Sequence, residues 1–140
     1  ALTYLEQSLA ISRAIGDRAG EGATLNNISQ IYDARGDYAT ALTYLEQSLA
    51  IRRAIGDAAG LCATLFNMGH IYLQNGQPGE AFGAWVAVYQ IAARIGYAQV
   101  LQALERLAGQ LGLPGGLDGW AKLAKLAGGE LRVSLGDEGG

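Results

Sequence analysis

His70 and Cys62 are the chain's only histidine and only cysteine. A zinc site needs three or four such ligands, so the pair makes none. Cys62 falls within a helical segment and reads as a buried thiol; with no second cysteine there is no internal disulfide, and nothing implies an oxidising compartment. His70 could tune binding with pH, but reads first as a polar residue lining a surface. No Ser/His/Asp set, phosphate-cradling loop or paired carboxylates stand out. Glu6 and Glu46 recur only because the segment around them recurs, and they belong on a solvated face. No enzymatic activity, metal or cofactor is expected. Arg35-Gly36-Asp37 spells the integrin-recognition tripeptide, but the plainer account is that Gly36 ends one helix and Asp37 caps the next.

The bulk composition narrows the partners. Net charge is -3 and only 16% of residues are charged, which leaves no electrostatic footprint for nucleic acid. No basic amphipathic segment fits a membrane surface, and no apolar run approaches the ~18–20 residues that span a bilayer. No basic stretch followed by an apolar one opens the chain as a signal peptide would. The default expectation is a cytoplasmic protein. Half of the residues are hydrophobic, ample for a buried core.

The elements that must position any site come from a repeat. Ala1 through Ile11 return unchanged as Ala41 through Ile51, and Ala23-Thr24-Leu25 returns as Ala63-Thr64-Leu65. A fixed period of 40 residues signals a stacked array rather than one closed core. Gly16-Asp17, Gly56-Asp57 and Gly96-Tyr97 stand 40 apart, with Gly36-Asp37, Gly76-Gln77-Pro78 and Gly115-Gly116-Leu117-Asp118 between them. Glycine suits the position just past a helix end; Asp or Pro suits the next start. Between these breaks the apolar residues keep helical spacing, as in Leu65, Met68, Gly69 and Tyr72. The spacing predicts seven helices: 1–15, 20–35, 38–55, 58–74, 78–95, 98–112 and 117–128.

Leu25, Ile28, Ser29 and Tyr32, followed by Ala41, Leu45 and Ser48, resemble the tetratricopeptide repeat. The next unit carries Leu65, Met68, Gly69 and Tyr72, then Ala81 and Trp85. Small residues at Ser29, Gly69, Ala41 and Ala81 would let paired helices approach. The usual repeat has about 34 residues; the 40 here, and Leu25-Asn26-Asn27-Ile28, resemble the longer subclass of kinesin light chains. The resemblance implies an all-α solenoid of stacked antiparallel hairpins in a right-handed superhelix. Residues 1–16 would be the second helix of a truncated repeat, 17–56 and 57–96 full repeats, and 97–128 a degenerate repeat and C-terminal cap. In that last unit Leu104, Leu107, Ala108 and Leu111 follow the pattern with one residue deleted, and Trp120 replaces a small residue.

In this family the first helices of the repeats line a concave groove that binds peptides. The resemblance places Asn26, Asn27, Gln30 and Asp33 there from one repeat, Phe66, Asn67, His70 and Leu73 from the next, and Glu105 and Arg106 from the third. Asn27 and Asn67 matter most, because a carboxamide can pair with both polar groups of an extended backbone. The other reading is that they hydrogen-bond across repeats and only hold the stack. Phe66 is either an anchor-pocket wall or a packing residue. Arg106, with Arg35, is too little for a strong carboxylate clamp.

The expected function is protein–protein interaction through a peptide held in the groove, as a scaffold fragment of a larger protein. The alternative is a self-assembly element, or a regulatory domain of an attached enzyme or sensor. Helix 1–15 lacks the helix that should precede it, so a homo-oligomer through its uncovered stripe is a second expectation. The tail 129–140, with Leu131, Val133 and Leu135 alternating between polar residues, reads as a linker or as an extended segment docked in a groove.

Overall fold

The computed structural model describes residues 1–135, with side chains as far as residue 126. Seven helices follow one another: α1 (Leu2–Ile15), α2 (Arg18–Ala34), α3 (Tyr38–Ala54), α4 (Ala58–Gln74), α5 (Pro78–Ile95), α6 (Ala98–Leu111) and α7 (Leu117–Leu135). There is no strand among the described residues. Each helix packs on its neighbours in sequence, with the closest pairings α2–α3 and α4–α5. The architecture is an α-solenoid.

The breaks have the predicted chemistry. Gly16, Gly36, Gly56, Gly76 and Gly96 sit just past helix ends with φ of 76, 78, 71, 74 and 71°, where a side chain is disfavoured. The Asp17 carboxylate accepts from the Gly20 amide at 2.9 Å, Asp57 from Gly60 at 2.9 Å and Asp37 from Thr40 at 3.3 Å. Each satisfies one of the amides that a helix start leaves without a partner. Pro78 opens α5, where its missing N–H loses nothing.

One boundary differs. The predicted last helix stops at 128, before Gly128-Gly129, but α7 continues to Leu135. Glycine lowers helix propensity by about 1 kcal/mol but keeps its amide donor, so unlike proline it does not interrupt the ladder. Leu131, Val133 and Leu135, read as an extended segment, lie on this helix. Residues 136–140 of the expected tail lie outside the described residues.

Inside the hairpins, small residues set the approach. Ser29 and Ala41 are buried in the first hairpin, Gly69 and Ala81 in the second. A Cβ at Gly69 would overlap the Trp85 indole, so the tryptophan lies directly on the glycine backbone. Trp85 is fully buried, and its Nε1 donates to the Phe66 carbonyl at 3.2 Å.

The third hairpin is built differently. Trp120, fully buried in the first turn of α7, donates Nε1–H to the Leu104 carbonyl of α6 at 2.7 Å. Its ring meets Phe82 and Trp85 of α5, at centroid distances of 5.8 and 6.1 Å. An indole in place of the usual small residue holds α6 and α7 apart, and α7 packs more on α5 than on α6. Lys122 and Lys125 face solvent.

Candidate functional site

The first helices of the two complete hairpins, α2 and α4, meet along a seam. Its buried part is a polar tie. The Thr64 hydroxyl of α4 donates to the Asn26 carboxamide oxygen of α2 at 3.1 Å, and the Ser48 hydroxyl of α3 donates to the Gly22 carbonyl at 2.9 Å. Both hydroxyl protons are thereby committed, so the 3.4 Å approach between Ser48 and Thr64 is contact rather than a further bond. Arg52 Nε donates to the Ser48 oxygen at 3.2 Å, and its other end to Asp57 at 2.9 Å.

This corrects one expectation. Asn26 is buried, its carboxamide oxygen engaged across the repeat boundary, so it does not line a groove. The cross-repeat bond considered for Asn27 and Asn67 belongs to Asn26. Neighbouring positions on a helix point about 100° apart, and Asn27 accordingly faces solvent.

The open part of the seam is a pocket of about 270 Å³ lined by Ser29, Gln30 and Asp33 of α2 and by Asn67, His70 and Ile71 of α4. Four of these, Gln30, Asp33, Asn67 and His70, are residues for which the repeat pattern implied a groove position. The Ser29 hydroxyl is occupied by the Asn26 carbonyl at 2.6 Å. The carboxamides of Gln30 and Asn67 make no hydrogen bond among the described side chains. Asp33 Oδ1 is buried and has no partner.

His70 is fixed by aromatic edges. Its ring meets Phe66, one turn earlier on α4, at 5.0 Å and Trp85 of α5 at 5.2 Å, both edge-on. Burial pushes its pKa below the ordinary imidazole range, against a smaller upward pull from the Asp33 carboxylate. The imidazole is therefore neutral at pH 7. Phe66 is half-buried and packs against the α5 core, so its role here is to support His70.

Leu73 stands exposed near the end of α4, outside the pocket lining. Glu105 and Arg106 are exposed on α6; Glu105 lies beside Gly116 in the α6–α7 turn, and the pocket does not reach them. The Arg35-Gly36-Asp37 tripeptide is structural: Arg35 lies 5.5 Å from the Tyr32 ring centroid, Gly36 ends α2 and Asp37 caps α3. Cys62 is fully buried, and burial raises its thiol pKa, which keeps it protonated and unreactive. Among the described residues there is no group of three His, Cys, Asp or Glu side chains that could hold a metal, and no helix is long and apolar enough to cross a membrane.

The pocket offers carboxamide donors and acceptors, one carboxylate and one neutral imidazole: equipment for binding, at a junction between repeats. The repeat register alone does not point to the Asn26–Thr64 tie. A signal for it exists in Thr24 and Thr64, polar residues recurring 40 apart on an otherwise apolar stripe.

No curated protein matches the chain. Residues 1–54 match the tetratricopeptide repeat, and the helix–turn–helix unit they contain is repeated by α4–α5. Residues 1–54 therefore belong to a tetratricopeptide repeat, and the helix hairpins that follow them have the same form.

Proposed function

We infer that the chain binds an extended segment of a partner protein along the α2–α4 seam, as a scaffold part of a larger assembly. Tetratricopeptide repeats are in general protein–protein interaction modules. The observation that carries this is the pocket, where Gln30, Asp33, Asn67 and His70 from two successive repeats gather around one buried carboxylate oxygen, Asp33 Oδ1, that has no partner. Asn27, exposed one turn from this pocket, extends the row of carboxamides that could follow a peptide backbone. The 40-residue period supports grouping these repeats with the longer subclass similar to kinesin light chains.

Selection of random peptides against the wild-type chain and an Asn27→Ala/Asn67→Ala variant tests this. Phe66 is left in place because it packs against the core. Peptides enriched only on the wild type, with both proteins equally helical by circular dichroism, are the expected result. Equal enrichment on both, or none, overturns the reading.

Self-association is the second reading, supported by α1, where Tyr4 and Ile15 are 72% and 71% exposed. Light scattering that stays at the monomer mass as concentration rises would exclude it.

A further inference from the structure

We propose that the pocket between α2 and α4 receives the cationic side chain, Lys or Arg, of the bound peptide, with Asp33 as its counter-ion. This rests on the peptide-groove reading and specifies the partner's chemistry at one position.

A buried carboxylate oxygen without a hydrogen-bond partner is unfavourable, and Asp33 Oδ1 is in that state. None of the ion pairs among the described residues involves Asp33: Glu21 is held by Arg13 and Arg18, and Asp57 by Arg52. Arg35, two residues on, lies over the Tyr32 ring. The pocket wall supplies no fixed cation, because its imidazole is neutral at pH 7 and the rest of the lining is Ser29, Gln30, Asn67 and Ile71.

Size and chemistry then choose the occupant. At about 270 Å³ the pocket holds far more than one water, whose share of liquid volume is ~30 Å³. A Lys or Arg stem can lie against Ile71 and the aliphatic part of Gln30 while its head donates to Asp33. The Asn67 and Gln30 carboxamide oxygens can accept the remaining N–H groups. An acidic side chain would instead meet the Asp33 carboxylate at close range. The corresponding position in the next repeat is Leu73, so the preference belongs to this junction alone and fixes the register of the peptide.

His70 makes the test direct, because as the only histidine it gives a single imidazole NMR signal. The labelled 140-residue chain is titrated at neutral pH with N-acetyl-arginine N-methylamide, N-acetyl-lysine N-methylamide and the uncharged citrulline analogue. A saturable shift of the His70 signal is expected with a cationic probe. Citrulline should bind on the order of tenfold to a hundredfold more weakly, the range for losing a charged hydrogen bond. Asp33→Asn should weaken the cationic probe similarly. Asp33→Leu, which installs the residue type of the next repeat, serves if the Asn variant loses helicity. No saturable shift with either cation, as when Asp33 Oδ1 binds water only, overturns the proposal; so does equal binding of citrulline, or indifference to both variants. The peptide selection separates the two failures: enriched peptides lacking Lys and Arg would leave the groove standing and remove its cation preference.

Discussion

Gly69 and Trp85 occupy one another's space: the indole rests where a Cβ of residue 69 would be. The same indole borders His70 and donates to the Phe66 carbonyl. Helix approach and pocket wall therefore depend on a single contact. Gly69→Ala should destabilise the fold by about 1–3 kcal/mol, the usual range for overpacking, and displace the His70 signal. Gly83→Ala is the control: nothing lies within 4 Å of a Cβ there, and relief of glycine's helix penalty should stabilise by about 0.5–1 kcal/mol. Urea unfolding midpoints of the two variants should move in opposite directions.

Thr64→Val keeps the shape of the side chain and removes its hydroxyl. The buried Asn26 oxygen then has no donor, a loss of about 1–3 kcal/mol. Because the bond crosses a repeat boundary, the first hairpin should uncouple from the second before either unfolds. Hydrogen exchange checks this: amides of α2 and α3 should lose protection relative to those of α5.

Trp120→Phe should open a gap and break the bond to the Leu104 carbonyl, costing about 1–3 kcal/mol. Denaturation followed by tryptophan fluorescence should show the remaining Trp85 environment altered, since the two rings are 6.1 Å apart. Unchanged Trp85 emission and an unchanged midpoint would rule out Trp120 as the strut of the third hairpin.

His70 makes stability depend on pH in a defined direction. Its folded pKa is lowered, first by burial against Phe66 and Trp85, with Asp33 opposing. Below the ordinary imidazole value of 6.5 the unfolded chain takes up a proton that the folded chain refuses. Stability is therefore full above that value, falls as the pH drops beneath it, and levels off below the folded pKa. Urea midpoints at a series of pH values between about 5 and 7.5 should slope less for His70→Asn than for the wild type. Taking the difference between the two proteins removes the carboxylates' own titration.

Most of the fold was legible because each boundary is written in local chemistry. Gly16-Asp17, Gly36-Asp37 and Gly56-Asp57 specify a left-handed stop followed by a side-chain cap, and the first six helices fall within two residues of their predicted ends. The end of α7 was not legible, since Gly128-Gly129 weakens a helix without forbidding it. The site was legible in part. Gln30, Asp33, Asn67 and His70 could be placed by register, whereas Asn26 could not, because one helical position separates a solvent-facing carboxamide from a buried one and the deciding partner, Thr64, lies 38 residues away.

The hairpins join neighbours in sequence, α2 to α3 and α4 to α5. Such a chain has low contact order, so little loop entropy opposes each closure. During synthesis α2 and α3 can pair before α4 has left the ribosome, and each later hairpin finds a finished template. The repeat that builds the α2–α4 seam thus also sets a direction of assembly, from the first hairpin towards α7.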